Sequence, residues 1–140
     1  MNPQEHMVAV VEPNRDGEST IEHAKQVVDR GGRATVVVLV TRDTVSDIAA
    51  FADAEDIDFP EANAIYAERV ARVYSARFGD TEVATIVTDQ TDPNQVVFDT
   101  AGELAATSVA VPQRLLTLRD WRASVERSQV PVLIAPPKAA

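Results

Sequence analysis

Five short apolar runs are separated along the chain by longer stretches in which apolar residues recur with a helical period. The runs are rich in valine, isoleucine and alanine, as is typical of strands buried on both faces of a sheet. They predict strands at residues 7–11, 34–40, 83–87, 108–111 and 130–135. Pro131, near the start of the last run, favours a strand at the edge of the sheet.

Four helices are predicted between these strands, at residues 19–31, 61–79, 92–105 and 114–127. Ser19 opens the first with a capping box, and Gly31 supplies its left-handed stop. The last helix is expected to turn Leu118, Trp121 and Val125 inward. Residues 41–60 show no clear period, which predicts a loop with one helical turn.

This order of elements predicts an α/β fold, a single domain built on an open five-stranded parallel sheet with helices on both faces, as in Rossmann-like proteins. The domain covers residues 1–140, and residues 1–6 and 136–140 are predicted to be frayed tails. Ligands of such sheets bind outside the carboxyl ends of the strands. Glu12 follows the first predicted strand and Asp89 the third, so both are expected at that rim.

Composition excludes several classes of function. The chain holds 22 acidic and 13 basic residues, a formal net charge of −9, and no cysteine. The negative charge argues against a general nucleic-acid binder, which needs positive charge to hold phosphates. The lack of cysteine excludes thiol catalysis, cysteine-ligated metals and disulfides. Because no apolar run approaches the ~20 residues of a membrane span and no signal peptide is visible, we expect a cytoplasmic protein without a membrane partner.

Few residues suggest metal or acid–base chemistry. His6 is assigned to the predicted tail and His23 to the first helix, so neither a metal site nor a catalytic triad is predicted. Trp121 is interpreted as core, with an interface anchor as the alternative. An acidic run is interpreted as a solvated loop; a divalent-metal site is the alternative, but the spacing of a calcium-binding loop is missing. The run consists of Asp53, Glu55, Asp56, Asp58 and Glu61.

Four segments match, in order and spacing, those of a known family. Residues 7–12 lie where that family has an apolar strand ending in Asp, and residues 32–40 match its GA-x-V-x-L-L-x-V segment. Residues 91–97 occupy its G-x-P-x-x-x-I helix start, and residues 130–134 are similar to its closing C-P-V-L-V-V strand. The chain thus resembles a universal stress protein domain over nearly its whole length.

The resemblance implies an adenine nucleotide alpha hydrolase-like sheet with strand order 3-2-1-4-5, a pocket for ATP or AMP at the carboxyl rim, and a homodimer. The implied pocket is lined by Glu12, Pro13, Asn14, Val40, Pro112, Gln113 and Arg114. Dimers of this kind pair through the last strand, an apolar edge that would otherwise stay unpaired. The implied interface consists of Val130, Val132, Leu133 and Ile134.

The phosphate-binding segment of the family is not matched. Nucleotide-binding members carry Gly-x-x-Gly, nine residues, then Gly and Ser or Thr, because glycine lets backbone amides approach phosphate. The corresponding residues 111–124 contain no glycine, and all five glycines of the chain lie at or before Gly102. Pro112 lacks an N–H group, and Pro13 and Asn14 replace Gly-Ser. We therefore expect that ATP is not bound in the family manner.

Three hypotheses for the function remain open. The leading one is a non-catalytic stress-type domain that acts by dimerisation or by binding an unknown protein partner. The second is a nucleotide-binding protein with a phosphate site built from arginines. The arginines concerned are Arg114, Arg119, Arg122 and Arg127. The third is a small hydrolase with Glu12 or Asp89 as general base.

Overall fold

The computed structural model describes residues 4–12, 19–40, 42–79, 84–88 and 92–136. The strands are β1 (His6–Val11), β2 (Arg33–Leu39), β3 (Ala84–Thr88), β4 (Ser108–Pro112) and β5 (Val132–Ala135). The helices are α1 (Thr20–Asp29), α2 (Arg42–Glu55), α3 (Phe59–Ala76), α4 (Pro93–Glu103) and α5 (Arg119–Arg127), with a 3₁₀ turn at Gln113–Thr117. None of the helices within these ranges is both long and apolar enough to cross a membrane.

The strands form one parallel sheet in the order β3-β2-β1-β4-β5. β1 lies at its centre, where His6 is opposite Arg33 of β2 and Met7 is opposite Ser108 of β4. The prediction of an α/β fold built on a parallel sheet is confirmed.

Alternate residues of the central strands contact different helices. On one face, Met7, Ala9 and Val11 pack with residues of α1 and α3. On the other, Val8 and Val10 pack with residues of α4 and α5. A strand covered on both sides has no polar face, which explains the continuous apolar runs of the sequence. Each fully buried valine contributes at most about 1.5–3 kcal/mol to folding.

The predicted loop at residues 41–60 is wrong. Residues Arg42–Glu55 form α2, whose buried side chains are Thr44, Ile48 and Ala52. These residues recur every fourth position and make a stripe too narrow to reveal the helix in the sequence. The acidic run is not one loop either. Asp53 and Glu55 belong to α2. Asp58 caps the start of α3, where its side chain accepts a hydrogen bond of 2.9 Å from Glu61 N.

The single helix predicted at residues 114–127 is also wrong. Pro112 ends β4, the chain makes the 3₁₀ turn, and α5 begins only after the extended residue Leu118. Leu118 is 52% exposed and does not point inward. The turn instead buries Leu115, while Trp121 is buried in the core as predicted and Val125 is half-buried.

Two expectations at the start of the chain are overturned. His6 is not part of a tail but the first residue of β1, and it is 9% exposed. Ser19 makes no capping hydrogen bond; the neighbouring Thr20 hydroxyl instead donates to Val10 O at 2.7 Å, which ties α1 to β1. Gly31 does end α1 in the left-handed region, with φ +89°, as predicted. Residues 1–3 and 137–140 of the predicted tails lie outside the described residues.

Candidate functional site

The carboxyl ends of β1 and β4 lie side by side at the point where the sheet changes direction. The chain runs from β1 outward through β2 to β3, then crosses to β4 and β5 on the other side of β1. A crevice at such a switch point is the usual ligand site of an open parallel sheet. Glu12 directly follows β1, and Pro112 ends β4, so two of the predicted pocket residues are placed at this crevice.

An ion pair joins the two strand ends. Arg114, in the 3₁₀ turn after β4, donates from Nη2 to Glu12 Oε2 at 2.6 Å and from Nε to Glu12 Oε1 at 3.3 Å. The Glu12 side chain is 8% exposed, whereas that of Arg114 is 56% exposed. The guanidinium therefore covers a buried carboxylate from the solvent side, with the paired geometry that arginine forms with carboxylates.

The burial of Glu12 determines how this ion pair contributes to the stability of the fold. A carboxylate out of water is costly unless it is paired and hydrogen-bonded, and Arg114 supplies both of the hydrogen bonds described. Because Arg114 is more than half in water, the pair's net contribution to folding is small. Removing the guanidinium alone would nonetheless leave the buried Glu12 without its donor, a loss of about 1–3 kcal/mol.

The other predicted pocket residues are placed less closely. Val40 follows β2 and is half-buried one strand away from Glu12, and Gln113 is exposed at the start of the 3₁₀ turn. Pro112 is buried. Pro13, Asn14 and Asp89 lie outside the described residues. The structure thus brings together Glu12, Pro112 and Arg114.

The remaining arginines of the predicted phosphate site are exposed along α5. They are Arg119, Arg122 and Arg127. The same helix is held to α4 through Asn94 Nδ2, which donates to Ser124 Oγ at 2.8 Å. Over the ranges that the structure covers, no group of three or more histidine, aspartate or glutamate side chains is arranged to hold a metal ion.

The predicted dimer residues fall into two groups according to their burial. Three of them lie on β5, an edge strand paired with β4, and Val130 lies just before that strand. Val130 and Val132 are partly buried and pack against the core beneath the sheet. Leu133 and Ile134 are each 37% exposed. An apolar edge of this kind offers both unpaired backbone groups and apolar side chains to a partner strand.

A second cluster, at the amino ends of the strands, was missed by the sequence analysis. A cavity of about 260 Å³ is lined there by His6, Arg33, Ala34, Thr35 and Ala84. The sequence does contain a sign of it. His6 is two positions before Val8 and four before Val10, a spacing that puts the three side chains on the same face of a strand.

No family model and no curated protein matches the sequence. Solved structures match nearly the whole chain. The hypothetical protein MJ0577 is 11% identical, with a TM-score of 0.68, and the match covers 97% of this chain and 98% of that one. A universal stress protein in complex with cAMP is 18% identical, with a TM-score of 0.62 and coverage of 96% and 98%.

The universal stress protein from Archaeoglobus fulgidus in complex with dAMP is 14% identical, with a TM-score of 0.57, and the match covers 96% of this chain and 99% of that one. At these identities the likeness shows a common architecture and does not extend to function. The chain therefore has the fold found in universal stress proteins.

Proposed function

We propose that this chain is a non-catalytic, cytoplasmic domain of the universal stress type that acts by association with a second copy or with another protein. It does not hold ATP in the manner of the nucleotide-binding members. The observation that carries this proposal is the ion pair between Glu12 and Arg114 across the crevice where such sheets bind ligands.

The ion pair opposes phosphate binding in two ways. The Glu12 carboxylate already occupies two donors of the Arg114 guanidinium, so a phosphate must compete with an anion that the fold holds in place. The same carboxylate repels a phosphate brought near it, and its burial weakens the screening by water. Pro112 offers no N–H group, and no glycine follows Gly102 to let backbone amides replace the arginine.

Titration calorimetry with ATP and with AMP tests the proposal. The protein is expected to show no micromolar binding of either nucleotide, and Glu12→Gln and Arg114→Gln are expected to behave in the same way. Arg119→Gln, on the exposed side of α5, is the matched control because it leaves the ion pair intact. Micromolar affinity for ATP in the unaltered protein would overturn the proposal.

A second candidate is an adenine-nucleotide binder that uses Arg114 for the phosphate. Two proteins of the same fold were solved with cAMP and dAMP, and Arg114 is a cation at the carboxyl rim of the sheet in this chain. Here AMP should bind to the unaltered protein, bind more tightly to Glu12→Gln because the competing carboxylate is neutralised, and fail to bind to Arg114→Gln. These three results together would replace the first candidate with the second.

A hydrolase that uses Glu12 as general base is the least favoured alternative. Both carboxylate oxygens of Glu12 accept hydrogen bonds from Arg114, so a substrate proton must compete with the guanidinium for either oxygen. A general base must lie within hydrogen-bond reach of the proton that it removes. Turnover of a model ester or phosphoester that is lost in Glu12→Gln would support this alternative over the proposal.

A further inference from the structure

The cavity lined by His6, Arg33, Thr35 and Ala84 lies at the amino ends of β1, β2 and β3, on the edge of the sheet opposite Glu12. Its volume of about 260 Å³ is several times the roughly 30 Å³ that one water molecule occupies in the liquid. Neither the ion pair at the carboxyl rim nor the β5 edge uses these residues. The cavity is therefore separate from the site described above.

The histidine at this cavity is held firmly. His6 Nε2 lies 2.8 Å from Thr35 Oγ1, and this contact is buried. The backbone of His6 is fixed to the loop before β4, because His6 N donates to Thr107 Oγ1 at 2.9 Å and Thr107 N donates to His6 O at 2.8 Å. A polar ring fixed in this way is suited to bind a ligand without reorganisation.

The charges around the ring favour an anion. Arg33 is the register partner of His6 on β2, is exposed and lines the same cavity. Burial lowers the pKa of the His6 ring, and the charge of Arg33 lowers it further, so both favour the neutral ring. The nearest acidic neighbour in sequence, Glu5, is bound to Arg30 at 2.9 Å, which lowers the pKa of that carboxyl and holds its charge.

We propose that this cavity binds a small oxyanion, a phosphate or carboxylate group, between the guanidinium of Arg33 and the paired side chains of His6 and Thr35. Arg33 supplies the charge and a fork of N–H donors that fits an oxyanion. When the ring takes up a proton, His6 Nε2 donates to Thr35 Oγ1, and the Thr35 hydroxyl then has its own hydrogen to donate to the anion.

Binding to this cavity is coupled to pH, with a definite sign. Arg33 and burial both disfavour a protonated ring, whereas a bound anion next to it favours one. The anion therefore raises the pKa of His6, and by linkage the affinity for the anion increases as the pH falls through the titration range of the ring. A proton is taken up as the anion binds.

Histidine NMR titration tests this proposal because the chain contains only two histidines. The pKa of His6 and of His23 is measured with inorganic phosphate and, in a second arm, with acetate, each against chloride at the same ionic strength. We expect the pKa of His6 to rise with one or both anions. His23, on α1 at the opposite face of the sheet, should not respond and serves as the internal control.

Two variants locate the effect. Arg33→Gln is at an exposed position, so the protein should fold, and we expect at least about tenfold weaker binding and loss of the His6 shift. Arg72→Gln should keep the His6 shift in full, because Arg72 is exposed on α3 and does not line the cavity. An unchanged pKa of His6 in both anions, or a full shift that survives in Arg33→Gln, would overturn the proposal.

Discussion

Gly32 lies where the chain turns from α1 into β2 with little space for a side chain. A Cβ atom at this position would lie 2.6 Å from Val27 Cγ1, 2.9 Å from Val27 O and 3.0 Å from Glu5 Cβ. Two backbone hydrogen bonds hold the turn there, from Gly32 N to Val27 O at 2.9 Å and from Arg33 N to Glu5 O at 2.7 Å. The chain cannot move away from Val27 without stretching one of them.

We expect Gly32→Ala to destabilise the protein by about 1–3 kcal/mol, as overpacking against fixed neighbours does. Gly102→Ala is the matched control, since it lies in α4 and, apart from its chain neighbours and the backbone of its own helix, no atom lies within 4 Å of its added Cβ. There alanine should stabilise by about 0.5–1 kcal/mol through helix propensity. Urea unfolding of both variants measures the two effects, and equal changes in both would contradict the steric explanation.

At the residue scale, the sequence indicates Glu12 and Arg114 as separate pocket residues but does not indicate their contact. Glu12 and Arg114 were both predicted pocket residues, yet they are 102 positions apart, and their contact depends on a 3₁₀ turn that helical periodicity does not reveal. His6 was misplaced for the opposite reason. A single polar residue before an apolar run gives no sign of a strand, although the backbone of His6 is paired with that of Arg33 on β2.

Helices α1 to α4 are each followed by a residue in the left-handed conformation. Left-handed residues follow α1, α2, α3 and α4, namely Gly31, Asp56, Gly79 and Ala105, with φ of +89°, +55°, +67° and +51°. After α1, α2 and α4, the next residue donates back across the turn, as Ala106 N does to Ala101 O at 2.9 Å. Glycine marks the stops after α1 and α3 in the sequence, whereas Asp56 gives no such mark, which is one reason that the sequence predicts a loop in place of α2.

Ala105→Gly should stabilise the protein by about 1 kcal/mol, because alanine is strained in the left-handed conformation and glycine is not. The matched control is the same change at Ala50, an exposed position within α2. There glycine should destabilise by about 1 kcal/mol through lost helix propensity. Thermal or urea unfolding of the pair checks the opposite signs. Destabilisation by both substitutions would show that Ala105 is not strained.

At the scale of the whole molecule, the parallel sheet was predictable because its central strands are buried on both faces. Val8 and Val10 face one set of helices while Ala9 and Val11 face the other, so each strand had to be a continuous apolar run. The edge was less predictable in detail. The run at residues 130–135 contains both residues that pack inward and residues that face out, and only the structure separates them.

The difference between the inward-packing and the exposed residues of β5 determines which substitutions test the proposed homodimer. Val132 packs partly against the core, so a charge there would disturb folding as well as association. Leu133 and Ile134 are exposed on the edge strand, and their replacement by lysine protects the edge from pairing with little effect on the core. A dimer that pairs two such edges must also bury roughly 800 Å² on each protomer to be stable.

Sedimentation of the unaltered protein is expected to show a dimer, and Leu133→Lys combined with Ile134→Lys is expected to give monomer. Leu118→Lys is the matched control, because Leu118 is 52% exposed between the 3₁₀ turn and α5 and does not belong to β5. Unchanged circular dichroism in both variants confirms that folding is preserved. A dimer that survives the double substitution would assign the association to another surface, and a monomeric unaltered protein would leave the β5 edge to a different partner.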